Sequence, residues 1–324
     1  MHHSKLSCSH RSRGELPQTP LVVAHRTQSG LDTSVSAWFS VGYAFAGAAT
    51  ELTAGAASRI SNVSTVFLLS APAALAVSVA AAVVNPGEID GASIGWGVAA
   101  GIVGGAALPV AFHALAIGSI GVVASVIACT STISLTVAGV MKDGSPPMAV
   151  WAGVILSLVA IVLLAQRSRR SGAALASIRH ETSSRPSLAV ELGIVAGLGF
   201  GGFTFLMSLA ERNEGGPAAL VAARAAVLLV AVAVALVTRA QFRPTLGVAS
   251  ASISAGVLDV LGNLCLLAAL ATTPLIVVAV VGATSPAIAA AGALLLFRER
   301  LTAWQVAGLA LAATGAVLAS GAQW

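Results

Sequence analysis

Four residues stand where a charge or an amide is expensive: Glu51, Arg224, Asp259 and Asn263 each interrupt a long apolar run. A charged group at a bilayer centre costs about 2.5–3.5 kcal/mol on insertion scales, so its presence points to binding or proton relay. Glu51 lies in GAATELTAG, with Gly47 and Gly55 four residues to either side. That spacing puts all three on one helix face. Two glycines and a carboxylate make a poor lipid surface and a good interior one. A carboxyl group held there can take up and release protons, which is the chemistry a proton-coupled carrier needs. The plainer alternative is an interfacial carboxylate close to Arg59.

Arg224 sits in AALVAARAAVLLV. A guanidinium there can hold an anionic group such as a substrate carboxylate, or pair with Glu51, Asp259 or Glu191 as a structural ion pair. Asp259 and Asn263 are four apart and share a face. They suit a cavity lining, or an interhelical hydrogen bond worth about 0.6–2 kcal/mol. His113 reads as a satisfied interfacial histidine.

The elements that position these residues follow from composition. The chain has 324 residues, 57% hydrophobic and 9% charged, with mean hydropathy +0.92. A soluble domain carries about 25% charged residues, so lipid must cover much of this chain. Ten apolar segments are expected as helices, at about 36–57, 63–84, 92–115, 119–140, 147–165, 188–210, 217–237, 246–270, 274–297 and 302–320. Their lengths approach the ~20 residues that span a bilayer. Stop signals separate them, among them Asn85-Pro86-Gly87, Gly215-Gly216-Pro217 and Thr272-Thr273-Pro274. Glycines four apart, Gly97, Gly101 and Gly105 in one segment and Gly193, Gly197 and Gly201 in another, predict close helix packing. Gly199 and Gly202 with Phe200, Phe203 and Phe205 suggest a cavity wall.

The sequence also repeats. Shifted by about 155 residues, Gly153 falls on Gly308, Leu115 on Leu270 and Ala124 on Ala279; nearby, Gly47 falls on Gly201 and Ser70 on Arg224. Two copies of a five-helix unit must point opposite ways in the membrane. The expected fold is therefore all-α and integral to the membrane, with about ten transmembrane helices as two inverted five-helix repeats. The expected domains are a disordered polar tail over 1–35, a first repeat over 36–165, a basic linker loop over 166–187 and a second repeat over 188–320. The linker holds Arg167, Arg169, Arg170, Arg179 and Arg185, which the positive-inside rule places in the cytoplasm; the tail's Lys5, Arg11, Arg13 and Arg26 pull the other way.

The stretch from Ala269 to Ser320 closely resembles the second repeat of EamA-like transporters, in the drug/metabolite transporter superfamily. The matching features are Pro286 in the ninth segment, the turn Arg298-Glu299-Arg300-Leu301-Thr302, and then Trp304, Gly308 and Gly315. The first repeat departs from the pattern, with Ser131 opposite Pro286 and Gly144 opposite Glu299. The resemblance implies a secondary carrier without a cofactor, often an exporter of amino acids, metabolites or drugs. Its partners would be the lipid bilayer, a small-molecule substrate and a proton as coupling ion, in a monomer or homodimer of the plasma membrane. Independently of the family, Pro286 removes a backbone donor in mid-segment, Glu299 reads as an interfacial turn stabilised by charge, and Trp304 as an interfacial anchor.

Other chemistries find little support. The basic residues are those of tail and loops, which argues against nucleic acid despite the net charge of +5. The three cysteines, Cys8, Cys129 and Cys265, have neither zinc nor disulfide spacing. Gly91-Ala92-Ser93-Ile94-Gly95 fits G-x-S-x-G but opens a membrane helix, not a strand–turn–helix elbow. No phosphate-binding loop or zinc motif appears. The competing readings are an intramembrane enzyme acting on lipid through His113 and the acids, and a scaffold that moves nothing.

Overall fold

The computed structural model of the chain describes residues 38–54, 57, 61, 63–87, 89–117, 120–176, 186–212, 215–239, 244–297 and 303–322. The expected tail over 1–35, together with Gly55, Arg59 and Glu299, lies outside the described residues. All the regular structure described is helical. α1 covers 38–54. It is followed by α2 (Val63–Val84), α3 (Gly91–Ile117), α4 (Ile120–Asp143), α5 (Met148–Ala176), α6 (Pro186–Arg212) and α7 (Gly216–Val237). Then come α8 (Leu246–Leu270), α9 (Leu275–Gly282), α10 (Ser285–Phe297) and α11 (Ala303–Gly321).

Six of these are long and apolar enough to cross a membrane: α2, α3 over Gly91–Ala111, α4 over Val122–Asp143, α6 over Ser187–Arg212, α7 and α8. Met148–Leu164, Leu275–Ala289 and Val306–Gly321 are shorter apolar stretches. The bundle is built with its small residues inside. Ala100, Ala114, Ala196, Ala210, Ala219 and Ala223 are buried, while Val83, Leu229, Leu236 and Val317 are exposed. Large apolar side chains on the outside are what a helix surface facing acyl chains requires, and the chain is an integral multi-pass membrane protein.

Glycine sets the helix contacts. Side chains built at Gly97 and Gly101 of α3 would run into the backbone carbonyls of Ala219 and Ala223 on α7. Gly193, Gly197 and Gly201 of α6 face Val126, Ile127 and Ser134 on α4. On its other side α6 sets Gly199 against Ala107 and Gly202 against Val103 of α3. α1 runs beside α8, with Gly42 against Cys265 and Gly262 against Ala46. It also runs beside α9 and α10, with Tyr43 against Gly282 and Gly47 against Ser285. α5 and α11 cross where Gly153 meets Gly315. Both four-residue glycine rows expected from the sequence are packing surfaces.

Two boundaries differ from expectation. The ninth segment is not one helix: it breaks at Ala283 and Thr284, and Pro286 stands in the first turn of α10, where a missing N–H costs least. The fifth helix runs on through Arg167, Arg169 and Arg170 to Ala176, so the start of the expected linker loop is helix. No proline stops it, and alanine and arginine are strong helix formers. The G-x-S-x-G stretch is an ordinary capped first turn: Asp90 Oδ2 accepts from the Ala92 N–H at 3.1 Å and the Ser93 hydroxyl donates to the Asp90 carbonyl.

One end of the bundle is tied by polar contacts between distant segments. Lys142 Nζ donates to the Ser208 carbonyl at 3.3 Å, and Arg212 Nη2 donates to the Lys142 carbonyl at 3.4 Å. The Leu275 N–H donates to Asp143 Oδ2 at 2.9 Å. Pro274, which caps α9, brings no side-chain acceptor, so the carboxylate of α4 serves its first turn.

Asp143→Ala is expected to cost about 0.5–2 kcal/mol, as loss of a helix cap does, whereas Asp143→Asn keeps an acceptor oxygen and most of that stability; thermal unfolding in detergent reads both. Gly101→Val should destabilise by about 1–3 kcal/mol, because a backbone carbonyl cannot move aside. Gly95→Ala, in open space on the same helix, should be neutral or stabilising by up to about 1 kcal/mol.

Candidate functional site

Sixteen of the 17 lysines and arginines lie in the tail, in the loops or at the ends of the apolar segments, and the remaining one is Arg224. It projects from the middle of α7 and is 7% exposed. Its Nη1 reaches Asp259 Oδ2 on α8 at 2.6 Å. The guanidinium carbon lies 5.8 Å from the centre of the Phe203 ring on α6, a cation–π distance. Asn263 completes the group. Its amide donates to Asp259 Oδ1 at 3.1 Å and to the Asp259 backbone carbonyl at 2.7 Å. Of the partners open to Arg224 in the sequence, the structure selects Asp259.

The ion pair is only half of the arginine's hydrogen-bonding capacity. Nε and Nη2 are buried and have no partner. Both belong to a residue that lines a cavity of about 210 Å³. The cavity is formed by α1, α2, α3, α6, α7 and α8, and its lining is mainly apolar, with Phe67, Leu108, Phe200, Phe203 and Val227 forming much of the wall. Thr50, Ser70, Arg224 and Asp259 are its polar members. These residues come from the C-terminal part of α1, the first half of α2 and the later part of α3. The cavity therefore occupies the half of the bundle away from the Lys142–Arg212 end.

Glu51 is placed differently. It is exposed and does not line the cavity, although Thr50 and Ala54 beside it do. Its carboxylate approaches the Ser285 hydroxyl at the start of α10, and that hydroxyl is buried without a well-formed hydrogen bond. Glu51 thus stands on the side of α1 that faces the helix break, while Arg224, Asp259 and Asn263 form one cluster on the cavity side.

Tyr43 connects the two. It is two turns before Glu51 on α1, lies beside Thr204 of α6 and is within electrostatic range of both Asp259 and Glu51. Sequence reasoning did not select it. The available signal was that the chain has a single tyrosine and that Tyr43, Gly47 and Glu51 follow one another at helical spacing. Phe200 and Phe203 take the expected place in the cavity wall, whereas Phe205 packs into an apolar cluster with Leu135, Leu266 and Leu270. His113 is exposed and is not among the residues lining the cavity. Trp304 is 64% exposed at the start of α11, as an interfacial anchor would be. Among the described residues no cluster of His, Cys, Asp and Glu is able to hold a metal ion.

Comparison with known proteins agrees with this architecture. One solved crystal structure of a protein superposes with a TM-score of 0.68, at 14% identity, over 91% of this chain and 97% of that one. At that identity the likeness is one of fold. No curated protein matches the chain. The model of the EamA-like transporter family matches residues 187–321, from the start of α6 to the end of α11. Residues 187–321 are thus similar to the EamA-like transporter family, which belongs to the drug/metabolite transporter superfamily.

Proposed function

We propose that the protein is a secondary active transporter that moves small metabolites across the plasma membrane by alternating access, with the cavity at Arg224 as its substrate site. The observation that carries this reading is a cavity of about 210 Å³ inside an apolar bundle, with the Arg224–Asp259 ion pair in its lining. A scaffold would be expected to pair off its buried polar groups, because each one left unpaired costs free energy. A lipid enzyme working through His113 would need that ring beside an acid or serine at the cavity, and it is exposed elsewhere.

The transporter is read as ten spans in two inverted five-helix repeats, with α9 and α10 together making one span. Support comes from contacts that recur with partners exchanged and numbers shifted by about 155. Gly101 abuts the Ala223 carbonyl as Gly256 abuts that of Ser70. Gly199 meets Ala107 as Gly262 meets Ala46. Gly153 meets Gly315 as Gly308 meets Ala160. A two-fold axis in the membrane plane would generate such pairs.

Export is the favoured direction. In a ten-span arrangement the cavity lies towards the side that carries Arg59, the arginines between 167 and 185, Arg239, Arg243, Arg298 and Arg300. The positive-inside rule favours that side as cytoplasmic, its ten basic residues outnumbering the six of the tail, Lys142 and Arg212. A cytoplasm-facing cavity is positioned to load cargo for export. Glu51 is proposed as the proton-coupling carboxylate, acting at the α9–α10 break through Ser285.

In proteoliposomes with a pooled set of amphipathic metabolites, Leu108→Trp, which fills the cavity, should reduce counterflow to the level of empty vesicles. Glu51→Gln should abolish uptake driven by a proton gradient and preserve counterflow. Equal gradient-driven uptake by wild type and Glu51→Gln would assign Glu51 a purely structural role.

A further inference from the structure

A second cavity, of about 650 Å³, lies at the other end of the same helices. Asn85, Glu211, Arg212, Pro217, Leu264 and Leu267 are in its lining. They come from the segment after α2, the C-terminal parts of α6 and α8 and the start of α7. This is the end tied by Lys142 and Arg212. The two spaces are close to one another. At ~1.5 Å rise per residue, Arg224 on the first and Pro217 on the second are about 10 Å apart along α7. By the same measure Phe203 and Glu211 are about 12 Å apart along α6.

One apolar cluster fills that interval. Met207, Ala210, Leu220, Ala223 and Val260 are buried in it, and Leu206 packs against it. The cluster reaches both spaces: Ala74 and Phe203 also line the first cavity, and Leu264 and Leu267 also line the second. The hydroxyls at this level are used within their own helices. Ser78 donates to the Leu75 carbonyl at 2.9 Å and Ser208 to that of Phe205 at 2.7 Å. A constriction lined by leucine and methionine excludes water by dewetting. The cluster is also placed to yield. The glycines within α6, α7 and α8 face other segments or open space, and none sets one of these three helices against another. In the cluster the three meet through side chains, and leucine and methionine can change rotamer.

We infer that the second cavity is the far vestibule of the transport path, and that the Met207–Leu220–Leu264 cluster is the closed gate between it and the cavity at Arg224. This rests on the reading of that cavity as the substrate site. Alternating access requires a barrier on the side away from the loaded cavity. Here the barrier is about two helical turns of apolar side chain. It opens when α8 parts from α6 and α7 at the level of Leu220.

The test uses the full-length chain with Cys8, Cys129 and Cys265 replaced by serine. Right-side-out and inside-out membrane vesicles are treated with a membrane-impermeant maleimide. Ala268→Cys, in the second cavity, should label from one face only, and Leu108→Cys, in the first, from the opposite face only. Leu220→Ala thins the gate. It should let the reagent reach Leu108→Cys from the Ala268 face as fast as from its own. Should Leu220→Ala fail to fold, Leu264→Ala at the half-buried rim of the gate should give the same result. Labelling of both positions from one face, or of either from neither, would overturn the assignment. So would folded gate variants that leave the labelling of each face unchanged. Flux of the pooled metabolites separates this from the transport reading. Flux by wild type, with labelling unchanged in the gate variants, would refute the gate and keep transport. Opposite-face labelling that a gate variant joins, without flux of any probe by wild type, would uphold the gate and remove transport.

Discussion

Hydrocarbon gives helices no hydrophobic reason to associate, since acyl chains are as apolar as leucine. What remains is close packing and the polar contacts that packing allows. This chain meets the constraint with glycine and alanine. At Gly97 and Gly101 the backbone of α3 rests on the carbonyls of α7 with no side chain between. The cavity depends on that arrangement. Where α3 and α7 are drawn tight, their neighbours α2, α6 and α8 are held at fixed positions around the space they leave, and Arg224 is on the helix that is pinned.

Electrostatics then acts in a site already shaped by packing. A lone guanidinium in a bilayer would be costly; here Asp259 offsets its charge and Phe203 covers it. The pair is not a saturated structural bridge. Each member keeps something unspent: the arginine two donors, the aspartate a side chain 36% exposed. A buried pair whose purpose was stability alone would be expected to use these groups, because breaking or under-satisfying such a pair is worth several kcal/mol.

Much of this was legible in the sequence. Apolar length located the helices, glycine spacing marked the packing faces of α3 and α6, and the i,i+4 rule put Asp259 and Asn263 on one face. Helical spacing fixes a face but not the neighbour it meets. That is why Arg224 had three candidate partners and why Glu51, expected on an interior face, is exposed on the other side of α1 from the cluster. Pro286 announced an irregularity, yet the break falls at Ala283 and Thr284, because a proline is accommodated most cheaply where a helix begins. Tyr43 escaped notice because a single tyrosine in an apolar run looks like an ordinary membrane-interface residue; only its three-dimensional neighbours distinguish it.

The glycine seams also determine where the molecule can yield. Helices in direct backbone contact have no layer of side chains that can change rotamer and take up a displacement, so α3, α7, α6 and α4 are coupled as a stiff block. The α9–α10 segment is different. It is interrupted at Ala283–Thr284, whose N–H groups still bond to Ala279 and Val281, and Pro286 supplies no N–H for the next rung of the ladder. The weakest rung of that segment is therefore at Ala283–Thr284, next to Ser285 and one helix away from Glu51.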